Sequence, residues 1–118
     1  MSKQGWIGVD LDGTLAEYGE WVSPTHIGEP IPLMVERVKR WLAEGRDVRI
    51  FTARVNAGED RITTQSVIDA IQVWCQKHVG WVLPITCQKD YKMVELWDDR
   101  AVQVIPNTGL RADGSPEF

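Results

Sequence analysis

Short apolar runs recur along the chain, and three of them stop at polar residues able to do chemistry. Trp6-Ile7-Gly8-Val9 runs into Asp10-Leu11-Asp12-Gly13, Val48 to Phe51 runs into Thr52-Ala53-Arg54, and Val94 to Trp97 runs into Asp98-Asp99. Runs of this length with no polar alternation predict strands buried on both faces, as in a parallel sheet. Two further runs predict strands, Trp81 to Thr86 and Ala101 to Ile105, the second broken by Pro106-Asn107. Between the first two runs, Met34, Val38, Trp41 and Leu42 recur at helical spacing, with Pro32 placed for the first turn and Gly45 for the stop. A second helix follows Asp60, a plausible N-cap, with Ile68, Ile71, Cys75 and Val79 as its apolar face and Gly80 at its end.

Strands alternating with helices predict βαβ units, right-handed crossovers and strand carboxyl ends gathered on one edge. The expected architecture is a single Rossmann-like α/β domain over residues 1–110, its central parallel sheet covered by helices on both faces. The stretch from 15 to 30, punctuated by Gly19, Pro24 and Gly28, reads as a flap too short to fold as a cap. The loop with Asn56 and Gly58 is shorter still, and residues 111–118 read as a polar, frayed tail.

Composition narrows the classes. With 118 residues, 43% hydrophobic and 25% charged, the chain suits one ordinary folded domain. No apolar run approaches the roughly 20 residues that span a bilayer, and Asp10 and Asp12 interrupt the only apolar stretch near the start, so neither a membrane span nor a signal peptide is expected. Cys75 and Cys87 form no metal-binding or disulfide spacing, which fits a reducing cytoplasm. Thirteen basic against seventeen acidic side chains give a net charge of −4, which weighs against a large nucleic-acid footprint.

The candidate chemistry lies at the strand ends. Open α/β sheets hold ligands at their carboxyl edge. Asp10, Asp12, Asp98 and Asp99 would meet there, and crowded carboxylates raise one another's pKa unless a cation is present. Mg²⁺ suits a few carboxylates together with water and a substrate phosphate. Thr52, Arg54 and Asn56 would join them, Arg54 either clamping an anionic group or making an ordinary ion pair. Trp21, in the flap with Tyr18, could stack on a base or sugar, or else cover the core.

Asp10-Leu11-Asp12-Gly13-Thr14 after an apolar strand resembles the first motif of the haloacid dehalogenase-like hydrolases. Thr52 resembles their second motif, Lys89 the third, with Lys92 as competitor, and Asp98-Asp99 the fourth. The resemblance spans roughly Trp6 to Ile105. It implies a sheet with the first strand between the second and fourth, and a capless, Mg²⁺-dependent phosphatase. Asp10 would be the nucleophile that forms an aspartyl-phosphate, and Asp12 the general acid and base. Asp10, the Asp12 carbonyl and Asp98 would hold Mg²⁺, with Asp99 farther out. Gly13 would allow the sharp turn, Thr14 would support the loop, Thr52 would bind a phosphoryl oxygen, and Lys89 would offset charge. Lys89 lies only nine residues before Asp98, where the family often inserts a helix.

The substrate expected is a phosphorylated small molecule. A polynucleotide end is the enzymatic alternative, and a non-catalytic Mg²⁺-binding regulatory module is the non-enzymatic one. An open site of this kind could also be closed by a neighbouring copy in an oligomer. A receiver-like domain is disfavoured by the D-x-D-G-T sequence.

Overall fold

The computed structural model describes residues 5–56 and 60–115. Gly58 of the second loop, the first four residues and the last three of the tail lie outside them.

The first strand, β1 (Trp6–Asp10), is followed by helix α1 (Pro32–Ala43), β2 (Asp47–Phe51), a 3-10 turn (Ala53–Val55), helix α2 (Arg61–His78), β3 (Ile85–Thr86) and β4 (Met93–Trp97). The four strands form one parallel sheet in the order β3-β2-β1-β4. This is a single Rossmann-like α/β domain with β1 between β2 and β4. Asp10 pairs with Phe51, and Val9 with Trp97. The polar residues that follow these three strands therefore emerge on the same edge.

Local chemistry explains the helices. Pro32 sits in the first turn of α1, where a missing N–H costs nothing. Gly45 adopts φ +80 and donates to the Leu42 carbonyl, and Arg46 donates to that of Trp41, closing the helix with the left-handed stop that glycine favours. The Asp60 side chain accepts from the Thr63 N–H and caps α2. Met34, Val35 and Val38 from α1 and Val67, Ile71, Trp74 and Cys75 from α2 bury into one cluster with Ile7, Val9, Val48 and Ile50.

That cluster corrects one detail of the expected architecture. Ile7, Val9, Val48 and Ile50 share one face of the sheet, and both helices pack on it, so the helices are not divided between two faces. The reason is topological: β1 to β2 and β2 to β3 step in the same direction, and right-handed crossovers then fall on one side. The connection from β3 to β4 contains no helix among the described residues. On the opposite face the buried Trp6 stacks on Phe51, lies under the Arg49 guanidinium and donates its indole N–H to Asp90 at 2.8 Å.

Two expected strands differ. Only Ile85 and Thr86 of the run from Trp81 pair with β2, because Pro84 offers the ladder a carbonyl but no N–H. Trp81 and Val82 are exposed. The run from Ala101 to Ile105 does not join the sheet. It folds back through Asn107 and Gly109, both at positive φ, so that Ile105 donates to Leu110 and Ala112 to Gln103. Arg111 and Ala112, at the start of the tail expected to fray, are thus held in a small hairpin. No helix among the described residues is long and apolar enough to cross a membrane.

The flap is tied at its base. Glu17 donates to the Glu29 carbonyl and Ile31 to that of Leu15, while Gly28 passes so close to the Glu17 carbonyl that a Cβ there would collide with it. The Trp74 indole of α2 donates to the Gly28 carbonyl at 3.0 Å. Replacing Trp74 by Phe keeps the ring packing but leaves that carbonyl unpaired. We expect a loss of about 1 kcal/mol in urea unfolding and faster proteolysis within the flap.

Candidate functional site

β1 delivers the first two carboxylates. Its last residue, Asp10, is half-buried, and the chain then turns sharply: the Leu11 carbonyl accepts from Leu15 and Ala16, and Gly13 donates to the Ala16 carbonyl. Gly13 has φ +86, and a Cβ on it would strike the Asp99 carboxylate. Glycine is therefore required here both for its backbone conformation and for the approach of the loop after β4. Asp98 and Asp99 enter from that loop, held by the Arg100 N–H donating to the Asp98 carboxylate at 2.8 Å.

Oxygen atoms of Asp10, Asp98 and Asp99 lie within 4.8 Å of one another. The consequence is electrostatic. Burial, the adjacent charge of Asp98 and a hydrogen bond shared with Asp99 push the Asp10 carboxyl from 3.8 up to about 7, with Asp12 adding to the effect. The donor set is all oxygen, which is the chemistry a hard divalent cation takes.

The carboxylate of Asp12 is engaged elsewhere. Arg54 grips it with two parallel bonds, Nε to Oδ2 and Nη2 to Oδ1, both 2.8 Å. The Arg54 side chain is only 7% exposed, and its third nitrogen donates to the Pro24 carbonyl at 2.8 Å. Its guanidinium also lies 5.1 Å from the centre of the Trp21 ring. One buried arginine therefore joins the acidic loop of β1 to the flap. Of the two roles weighed for Arg54, the ion pair is the one formed, and the partner is Asp12.

Thr52 is buried at the end of β2, its N–H donating to the Thr86 carbonyl and its hydroxyl accepting from the Arg54 N–H. That hydroxyl bond sets up the 3-10 turn that carries Arg54. A cavity of about 460 Å³ opens over these groups. Asp10, Asp12, Asp98, Asp99, Thr52, Arg54 and Asn56 line it, as do Tyr18, Trp21 and Arg100.

Other expected residues fall outside its lining. Thr14 lies in the turn with its hydroxyl buried and unpartnered among the described residues. Lys89 is exposed on the connection between β3 and β4. Lys92 is exposed too, and its carbonyl accepts from Trp6 at the start of β1, away from the carboxylate edge. Arg100, directly after Asp98 and Asp99, is exposed and lines the cavity together with Arg54. From sequence alone a residue directly after an acidic pair reads first as a local ion-pair partner, so its place in the cavity lining is a finding of the structure. His26 is exposed in the flap, and the His78 ring packs against Trp74. Burial pushes the Cys75 thiol up to about 12, which removes it as a nucleophile.

No protein-family model matches the chain, and no curated protein matches it. Among solved structures, a conserved protein from Bacteroides thetaiotaomicron is similar, with a TM-score of 0.57 and 24% identity over 89% of this chain and 84% of that one. At that identity the likeness is one of fold.

The raised Asp10 carboxyl has a measurable cost. In the folded protein it holds its proton up to about 7, but in the unfolded chain only to 3.8, so the folded state binds the proton more tightly. Stability of the metal-free protein therefore falls as pH rises from 3.8 to about 7, and the full penalty applies above that. Asp10→Asn removes it. Discounted for a half-exposed group, we expect a gain of about 1 kcal/mol at pH 8, or roughly 4 °C in Tm, and no gain at pH 4. Thermal unfolding at the two pH values, with a chelator present, checks this.

Proposed function

We propose that this chain is a capless phosphomonoesterase of the haloacid dehalogenase-like type, dependent on Mg²⁺ and acting through an aspartyl-phosphate. The observation that carries the reading is the convergence of Asp10, Asp98 and Asp99 to within 4.8 Å at the carboxyl edge, with Asp12 two residues beyond Asp10 in the same cavity. The strand order, with β1 between β2 and β4, is the one the resemblance implies.

The residues fit the cation. Asp10 and Asp98 with the Asp12 carbonyl would hold Mg²⁺, and Asp99 would stand behind them. When bound, the ion neutralises the crowded carboxylates and polarises the phosphoryl group.

The chain's own groups then divide the work. An Asp10 oxygen attacks phosphorus as the bond to the leaving oxygen breaks, and Asp12 gives that oxygen a proton. Water next attacks the aspartyl-phosphate, Asp12 takes its proton, and phosphate leaves with Asp10 restored. Both Asp12 oxygens accept from Arg54 in the structure. Service as an acid requires a proton on one of them, hence release of one arm of the guanidinium. The oxygens of an entering phosphoryl group compete for that arm. Thr52 donates its hydroxyl proton to a phosphoryl oxygen. Arg100, which lines the cavity, takes the charge-offsetting role expected of Lys89.

A non-catalytic regulatory module would have no use for Asp12 as an acid. A polynucleotide end would need a basic track, and the chain carries a net charge of −4. Both cysteines are free, in keeping with a reducing compartment.

We expect phosphate release from a phosphomonoester panel to require Mg²⁺ and to vanish in Asp10→Asn. Asp12→Asn should lower kcat by about 10²–10⁴-fold. An Asp10→Asn protein that still turns over contradicts the reading. Arg100→Ala should lose more activity than Lys89→Ala, and the reverse order would return the charge-offsetting role to the lysine.

A further inference from the structure

The cavity is larger than a phosphoryl group requires. At about 460 Å³ it falls within the range of about 300–1,000 Å³ that accommodates whole small molecules. Its two ends differ in chemistry. The carboxylate end takes the reacting group, while Tyr18, Trp21 and Phe51 supply aromatic wall around the remainder.

Trp21 is 56% exposed, and Tyr18 beside it in the flap is 43% exposed. A tryptophan that merely covered a core would bury its ring, as Trp6 and Trp74 do at 1% and 8% exposure. Trp21 is nevertheless held. Arg54 lies 5.1 Å from its ring centre, and Arg54 is itself fixed by Asp12 and by the Pro24 carbonyl. The indole is thus oriented by a buried cation while more than half of its surface stays open, which is how a stacking platform differs from a core residue.

Charge limits what can be stacked there. Among the described residues the cationic side chains lining the cavity are Arg54, already paired with Asp12, and Arg100, beside Asp98 and Asp99. Four carboxylates face them. One phosphoryl group, screened by a bound cation, is tolerated, whereas further phosphates would meet uncompensated negative charge.

We propose that the substrate is a nucleoside monophosphate, its base stacked on Trp21 and its single phosphate directed at Asp10. This rests on the phosphatase reading for the bound cation and for the direction of the phosphate.

The test pairs calorimetric binding with phosphate release, both in Mg²⁺, for four ligands: a purine nucleoside monophosphate, the matching diphosphate, a sugar phosphate, and an oligonucleotide bearing a terminal phosphate. Wild type, Trp21→Ala and Trp21→Phe are compared. Base stacking contributes about 1–3 kcal/mol, so the mononucleotide should bind roughly 5–150-fold more tightly than the sugar phosphate. That ratio should collapse towards one in Trp21→Ala and largely return in Trp21→Phe. Selective binding that depends on Trp21, without turnover, upholds the stacking site and overturns the phosphatase reading. Turnover with no preference for the mononucleotide, or with a preference that Trp21→Ala leaves intact, overturns the stacking site and spares the phosphatase. Tighter binding of the diphosphate or the oligonucleotide than of the mononucleotide also overturns the proposal. Failure of every ligand to bind overturns both.

Discussion

Like-charge crowding at the carboxyl edge of the sheet governs the rest of the molecule. Asp10 cannot move away from Asp98 and Asp99, because it is the last residue of a central strand registered against Phe51, while β4 delivers the other two from the opposite side. The protein meets this repulsion in two ways. It leaves Asp10 protonated to about 7, and it pairs Asp12 with a buried arginine. Neither solution benefits folding alone. A hydrophobic cluster filled by both helices on one face of the sheet carries the stability, and it leaves the edge free to hold charge in an unfavourable arrangement.

Arg54 extends that arrangement outward. A lysine would provide a single point of charge. The guanidinium instead satisfies both oxygens of Asp12, reaches a flap carbonyl and supports an aromatic ring with its face. The flap needs such an anchor because it is too short to bury a core of its own. Besides the backbone bonds at its base, the flap is tied to α2 by the Trp74 indole on the Gly28 carbonyl. Loop, flap and helix are thereby joined around one cavity.

Much of this was legible in the sequence, for identifiable reasons. Apolar runs ending in Asp10, Thr52 and Asp98 located the carboxyl edge, since strand period and strand-end polarity are local properties. Asp60, Gly45 and Pro32 marked helix ends through capping chemistry that acts within a single turn. What was not legible depended on the partner each segment finds. The run at Ala101 has strand composition, yet Pro106, Asn107 and Gly109 turn it back on residues 110–112 before it can reach the sheet. The pairing of Arg54 with Asp12 bridges residues forty-two apart, and no spacing rule predicts it. Lys89 looked suitable by order along the chain, but the connection that carries it does not bring it to the cavity lining.

The central claim is that Asp10 is a nucleophile rather than a passive carboxylate in an acidic cluster. It is tested most directly by mixing Asp12→Asn protein with Mg²⁺ and an activated aryl phosphomonoester, whose leaving group departs without a proton, then quenching in acid and mapping peptides by mass spectrometry. The account predicts that the peptide carrying Asp10 gains the mass of one phosphoryl group, because such a leaving group departs without the Asp12 proton while hydrolysis of the intermediate, which uses Asp12 as base, is slowed. Release of phosphate with no label on that peptide, or label on a different residue, would contradict it.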